Sequence, residues 1–299
     1  MSGDTPSSNG PKKKNAWLIG CGIGCGALIL LVVFLLAIGF FFVRDLAKNF
    51  DASEEVMALV VEKYGKLTEF VPWPDGAVPS ERIETFLAVR EESLEARRQL
   101  EHSFELLGRG LGEEGESKPS PARIFKTIGR GFQLVPDIAD YYHSRSRALL
   151  QREMGIGEYA YLYCLIYFSW MGKDPGEGPD VAVMRGKRGG WIEWDTSDEE
   201  NTDEQADAVM RRTVNKICVP LLRNQIKNAG LNTNDLPDGW IERLVMEEER
   251  LTRKPDGILW EEGMPETTSR SLEEFRSRLE SSYSTSVNVI ELGFGMDQK

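Results

Sequence analysis

The stretch "GEYAYLYCLIYFSWM", residues 157–171, is apolar on nearly every side and carries no charge after Glu158. A helix that is apolar all round is buried, either in the core of a protein or in a membrane. This stretch is shorter than the roughly 20 residues that a helix needs to cross a bilayer. The sequence therefore predicts a helix at the centre of a folded domain.

The aromatic side chains of this helix have two interpretations. An exposed row of tyrosines is typical of a binding groove, because tyrosine combines a large apolar ring with a polar tip. A buried row is ordinary core, and Glu158 would then cap the start of the helix. We expect core for most of the helix and keep one candidate binding groove. It consists of Glu158, Tyr159, Tyr161, Tyr163 and Tyr167.

Long amphipathic helices are predicted on the N-terminal side of this stretch, over residues 80–108 and 120–154. In both, apolar residues recur every three or four positions, which is the pattern of a helix with one buried face. Ser80 is the predicted N-cap of the first helix, and Ser120-Pro121 resembles the N-cap and first residue of the second. We expect the two helices to pack antiparallel.

Further helices are predicted on the C-terminal side. One covers 202–230, one starts at Pro237, and a last one follows the capping box Ser271-x-x-Glu274. The glycine-rich insertion 173–201 resembles two short strands around a turn. The predicted fold is mainly α, a bundle of antiparallel helices outside the membrane with one small β-hairpin.

A run of 28 uncharged residues, Ala16–Val43, is long enough for a transmembrane helix. A cleaved signal peptide is disfavoured, because its apolar region is about half this length and ends in small residues. Leu18-Ile19-Gly20-Cys21 resembles a lipoprotein signal, but most of the apolar run follows that cysteine. We therefore predict a single-pass signal anchor.

The flanks of this span predict its orientation. Lys12, Lys13 and Lys14 precede it, whereas Arg44 and Lys48 after it are diluted by acidic residues. The positive-inside rule places the N-terminus in the cytoplasm and the bulk of the chain outside, in a bacterial periplasm or at a cell surface. The predicted organisation is a disordered tail 1–15, the span 16–43, a juxtamembrane helix with a proline-rich linker 44–79, and a helical domain 80–299.

Composition and spacing restrict the partners. The span contacts the lipid bilayer, and the spacing of Gly20, Gly22, Gly24 and Gly26 favours close packing of two membrane helices. An unknown envelope protein or a second copy of the chain could pack there. With 48 acidic against 36 basic side chains, the chain repels phosphate backbones, which disfavours nucleic acid.

No catalytic, cofactor or metal signature is present in the sequence. The chain has two histidines, and only Asp140-x-x-His143 has a spacing that could bind a metal. A surface or hydrogen-bonded histidine explains this pattern better, so we predict no catalytic residue, cofactor or metal. Cys164 and Cys218 could form a disulfide in an oxidising compartment, although Cys164 lies within an apolar run that favours a buried thiol.

Two functions remain for such a chain. The first is a membrane-anchored, acidic helical domain that binds or scaffolds other proteins without catalysis. The alternative is a membrane-tethered hydrolase outside the cytoplasm that uses carboxylates in a cleft. A deep cleft with two acids of strongly perturbed pKa would favour the enzyme, whereas a flat apolar patch without a titratable centre would favour the binding domain.

Overall fold

The computed structural model describes residues 53–111, 121–178, 202–231 and 236–293. Helices and the loops between them account for all of these residues, and no strand occurs among them. The prediction of a mainly α fold is therefore confirmed for this part of the chain. The predicted membrane span and most of the predicted hairpin lie outside the described residues.

Ten α-helices are present in the described ranges. They are α1 (53–64), α2 (Ser80–Glu92), α3 (Leu94–Leu111), α4 (Pro121–Gln151), α5 (Ile156–Tyr163), α6 (Thr202–Leu231), α7 (Trp240–Arg253), α8 (Glu266–Glu273), α9 (Arg276–Ser282) and α10 (Asn288–Gly293). A π-helix, Cys164–Trp170, continues α5, and 3-10 turns occupy Leu67–Glu69 and Thr285–Val287.

The two long predicted helices differ in how well their limits were anticipated. The first is broken at Ser93, whose hydroxyl donates to the Val89 carbonyl 2.9 Å away and competes with the backbone ladder. The second begins at Pro121 as predicted and continues through Pro136. The two parts that pack against each other most extensively are α3 and α4.

Two predicted caps are wrong. Pro79 precedes α2 as its N-cap, so Ser80 is already helical, and its hydroxyl donates to Glu274 instead. Ser271 lies inside α8, because the helix begins earlier, after Pro265. The Ser271 hydroxyl accepts the Val78 N–H at 3.1 Å, a contact that no local pattern could indicate. Both serines make contacts between distant segments rather than local caps.

The predicted central helix lies in the main core. Every residue from Ile156 to Phe168 is buried, and this segment packs against residues of α1, α2, α6 and α7. Gly157 permits the closest of these approaches. A Cβ atom there would lie 2.5 Å from the Leu67 carbonyl oxygen, so no larger residue fits without a shift of the backbone.

A second, smaller hydrophobic cluster lies beside the main core. Its residues come from α3, α4, α10 and the residue before α10: Leu100, Phe104, Leu134, Ile138, Tyr141, Tyr142, Val287 and Ile290. Ile290 of α10 is therefore anchored in a different cluster from the residues of α5.

The proline-rich segment before α2 is held by hydrogen bonds to its backbone. Gln225 on α6 donates to the Trp73 carbonyl at 2.7 Å, and the Trp240 indole on α7 donates to the Pro74 carbonyl at 2.5 Å. Residues 49–299 group into one compact unit. None of the helices in the described part of the chain has both the length and the apolar character that crossing a membrane requires.

Candidate functional site

The most concentrated group of ionisable side chains surrounds the Glu291 carboxylate on α10. Arg90 on α2 donates to its Oε1 at 2.9 Å, and Arg145 on α4 donates to its Oε2 at 2.9 Å. The Tyr141 and Tyr159 hydroxyls, from α4 and α5, donate to the same carboxylate. We call these five residues the polar centre. It joins four helices through one carboxylate.

Helix periodicity explains how the donors converge. Arg90 follows Phe86 by four positions and Arg145 follows Tyr142 by three, so each arginine lies on the apolar face of its own helix. On α5 and the π-helix, Tyr159, Tyr163 and Tyr167 recur every four residues and turn towards Arg90. The arginines are therefore buried because their helices bury those faces.

Aromatic rings enclose both guanidinium groups. The Arg90 Cζ lies 5.8, 5.1 and 5.2 Å from the ring centroids of Phe86, Tyr163 and Tyr167. The Arg145 Cζ lies 5.8, 5.0 and 5.7 Å from those of Tyr141, Tyr142 and Tyr159. Cation–π attraction of this kind is strongest where water is absent. The rings therefore offset part of the cost of burying two cations.

The electrostatics of the centre hold Glu291 in its charged form. Burial alone would raise the pKa of this carboxyl, but the guanidinium groups of Arg90 and Arg145 outweigh burial and keep the pKa below its usual value. Burial raises the pKa of the Tyr141 and Tyr159 hydroxyls, and the negative charge of Glu291 raises these pKa values further. At neutral pH the centre therefore contains an ionised carboxylate and neutral tyrosines.

The centre contains more positive than negative charge. Two guanidinium groups share one carboxylate, and side-chain exposure is 1% for Arg90 and 0% for Arg145 and Glu291. The Arg145 Nε and Nη2 atoms have no hydrogen-bond acceptor among the described residues, and the guanidinium carbon lies over the Tyr142 ring. Among the residues that the structure describes, one formal positive charge of the centre is thus left without a paired anion.

Arg90, together with Arg97 on α3, also anchors the end of α9. Arg90 Nη2 and Arg97 Nη1 each donate to the Ser282 carbonyl at 2.6 Å. Cations at a helix C-terminus are favourable, because the last carbonyl groups of a helix are unpaired and carry partial negative charge. The segment after α9 is fixed in addition by Asn288, which accepts the Tyr163 hydroxyl at 2.8 Å.

The five residues of the predicted groove do not share one surface. Tyr159, Tyr163 and Tyr167 face Arg90, whereas Tyr161 packs on the opposite side with its ring centroid 5.7 Å from that of Phe70. The four tyrosines are at most 3% exposed.

Glu158, the fifth residue of the predicted groove, is 8% exposed. It accepts two hydrogen bonds from Arg82, at 2.6 and 2.7 Å, and makes no cap at the start of α5. Glu158 therefore joins α5 to α2, and the groove itself stays a prediction that requires this helix to become exposed.

The other predicted ligand-type residues are dispersed. Asp140 is exposed and His143 is half-buried, and the described residues contain no group of three acidic, histidine or cysteine side chains that could hold a metal. Cys164 and Cys218 are both free and buried. Burial and a hydrogen bond with Cys218 raise the pKa of the Cys164 thiol. A raised pKa disfavours the thiolate, which is the reactive form of cysteine. Gly20, Gly22, Gly24 and Gly26 lie outside the described residues.

A shallow surface groove of about 380 Å³ lies between the 3-10 turn after α1 and the end of α6. It is lined by Thr68, Glu69, Val71, Asn224, Lys227, Asn228 and Leu231. No residue of the polar centre or of the predicted groove borders it. Val71 and Leu231 give it some exposed apolar area, 47% and 77% of their surfaces.

The polar centre cannot act as an acid–base catalyst in this conformation. A general base must reach a substrate proton within hydrogen-bond distance. The Glu291 carboxylate is saturated with donors from its own chain and is closed to solvent. What the arrangement does chemically is to bind a carboxylate, using two guanidinium groups and two hydroxyls.

No protein-family model, curated protein or solved structure matches the chain.

Proposed function

We propose that this chain is a single-pass membrane protein whose segment 16–43 anchors an acidic helical domain that binds or scaffolds other proteins without catalysing a reaction. The uncharged length of the segment and the three lysines before it support the anchor and its orientation. The domain, residues 80–299, would then lie outside the cytoplasm, in a bacterial periplasm or at a cell surface.

The observation that carries the non-catalytic part of the proposal is the closure of the polar centre. The Glu291 carboxylate is fully buried and already has four donors from its own chain. A hydrolytic carboxylate has to reach its substrate, and its pKa is usually raised for general acid catalysis. The pKa of Glu291 is lowered instead, which suits a structural role.

The hydrolase alternative receives no such support. Burial raises the pKa of Asp137, with a further contribution from Asp140. Asp137, however, accepts a hydrogen bond from Ser103 on α3, and Asp140 is exposed on the surface of α4. Two acids on a helix surface do not enclose a substrate, so we retain the binding domain.

The partners follow from the same features. The bilayer surrounds residues 16–43, and the face with Gly20, Gly22, Gly24 and Gly26 pairs with an envelope protein or with a second copy of the chain. The acidic composition disfavours nucleic acid.

Fusion proteins test the topology directly. A phosphatase that is active only outside the cytoplasm, fused after Lys299, should be active, and the same enzyme inserted within residues 1–11 should be inactive. The reverse pattern would overturn both the localisation and the proposed envelope partner.

The partner is tested on the full-length chain purified in mild detergent. We expect either a dimer or an envelope protein in a fixed ratio to the chain, measured by light scattering and mass spectrometry. A monomer that carries no other protein would contradict the scaffolding proposal.

A further inference from the structure

Four donors on three helices form a binding site for one carboxylate. Arg90 comes from α2, Tyr141 and Arg145 from α4, and Tyr159 from α5. Arginine presents several N–H groups in a planar fork that matches a carboxylate, and hydrogen bonds to charged groups are stronger than neutral ones. The four donors are thus complementary to a single carboxylate, whichever molecule supplies it.

The packing of the walls of this site does not depend on the Glu291 side chain. Phe86, Tyr159, Tyr163 and Tyr167 belong to the main core, which contains no residue of α10. Tyr141 packs in the second cluster with residues of α3 and α4 and with Val287 and Ile290, which remain when only the Glu291 side chain is removed. Without the Glu291 side chain, the arginines and the rings around them would therefore remain in place.

The charge of the site favours an anion. Even with Glu291 in place, two buried guanidinium groups face one carboxylate, and two nitrogens of Arg145 lack an acceptor among the described residues. Without Glu291, two cations would be buried with no counter-charge from this site, a state that is strongly unfavourable in a protein interior. An external anion would relieve this state by taking the place of the missing carboxylate.

We propose that Arg90, Tyr141, Arg145 and Tyr159 form a latent carboxylate-binding pocket, and that Glu291 is its internal ligand. The ligand class is a small carboxylate, or the carboxylate of an acidic side chain presented by another segment. This inference does not depend on the membrane anchor, the localisation or the partner proposed above.

The test replaces the internal ligand and supplies an external one. In the full-length chain, Glu291→Ala removes the carboxylate and leaves space for a small acid. Thermal unfolding is followed by circular dichroism in sodium formate, acetate or propionate, against sodium chloride at the same ionic strength. We expect a saturable rise of several degrees in the Tm of this variant with a carboxylate and a smaller one with chloride.

Matched variants separate binding in the pocket from general salt effects. The Tm of the unsubstituted chain and of Glu273→Ala, which loses only an exposed partner of Arg276, should respond to formate and chloride alike. Arg145→Met combined with Glu291→Ala should lose the carboxylate response. A response of Glu291→Ala that is the same in chloride, or that persists without Arg145, would overturn the proposal.

Glu291→Ala could prevent folding in buffer. The readout is then the recovery of the helical signal as carboxylate is added to the unfolded variant. Recovery with formate or acetate and not with chloride supports the pocket. Failure of every carboxylate to restore the signal would overturn it.

Binding experiments with two kinds of ligand distinguish the possible sources of the carboxylate. Formate and acetate report on a small acid, and a synthetic peptide with the sequence of residues 283–293 reports on an acidic side chain. Binding of the peptide to Glu291→Ala, and loss of binding when its glutamate is replaced by glutamine, would assign a peptide ligand to the pocket. Equal binding of both peptides would show that its carboxylate is not recognised there.

Discussion

Removal of Glu291 and removal of Arg145 leave different charges in the interior. Glu291→Gln leaves Arg90 and Arg145 buried without a counter-ion, whereas Arg145→Met leaves Arg90 paired with Glu291. Breaking a buried ion pair by removing one partner costs about 3–5 kcal/mol. We expect Glu291→Gln to lower the free energy of unfolding by about this amount and Arg145→Met by clearly less, measured by urea unfolding.

An exposed ion pair provides the control for this difference. Arg278 and Glu84 form a bidentate ion pair in which both side chains are at least half exposed. Pairs of this kind contribute about 0–1 kcal/mol, because water solvates each charge when the partner is lost. If Glu291→Gln changed stability no more than Glu84→Gln, the carboxylate could not be the buried centre described above.

The sequence contained a signal for the two buried arginines but none for Glu291, the carboxylate that pairs with them. The apolar stripe of the helix at 80–108 runs from Leu87 to Leu94 with Arg90 between them, and the stripe of the next helix has a gap between Tyr142 and Leu149 that Arg145 fills. A charge at a stripe position indicates a buried, paired residue. Glu291 lies 201 and 146 residues further along the chain, a pairing that only the tertiary fold determines.

Among the elements, α5 carries the strongest expectation. Leu165, at its junction with the π-helix, is fully buried, so Leu165→Asp would place a carboxylate in an apolar environment without a partner. We expect loss of the folded state, seen as loss of the cooperative thermal transition in circular dichroism.

Leu59→Asp on α1 is the matched control, because Leu59 is 47% exposed. Its Tm should stay close to that of the unsubstituted chain. A stable, cooperative Leu165→Asp variant would mean that this segment is not in the core.

The helices that could be predicted from the sequence are those with a long, periodic apolar face. Long stripes gave the positions of α2 to α4 and α6, because a repeated apolar face is visible over several turns. Cap assignments failed at Ser80 and Ser271, whose hydroxyls contact distant segments. The six-residue α10 has too few turns for a stripe, and the π-helix after Tyr163 has no sequence pattern of its own. Of these two elements, α10 supplies Glu291, the carboxylate of the polar centre.

For the molecule as a whole, the buried tyrosines set a limit at alkaline pH. Burial raises the pKa of six tyrosine hydroxyls above the ordinary value near 10: Tyr141, Tyr142, Tyr159, Tyr161, Tyr163 and Tyr167. Groups with raised pKa contribute stability that is complete below the unfolded value and is lost as pH rises through the folded one.

We therefore expect the helical signal to persist up to about pH 10 and then to be lost together with ionisation of these tyrosines. Circular dichroism and the ultraviolet absorbance of tyrosinate, recorded in one titration, should change together. The half-buried Tyr283, whose pKa burial raises to about 12, titrates within the same range. Ionisation of most tyrosines near pH 10 with the helices intact would contradict their burial.

The stability of the core and the proposed ligand preference both require that Arg90, Arg145 and Glu291 form one buried, electrostatically coupled centre. A double-mutant cycle of Arg145→Met and Glu291→Gln, measured by urea unfolding, tests this most directly. In the Glu291→Gln background, Arg145→Met removes one of two unpaired cations, so it should cost much less than in the unsubstituted chain, or even stabilise. We predict a coupling free energy of at least about 1 kcal/mol, whereas changes that add to within about 0.5 kcal/mol would contradict a shared centre.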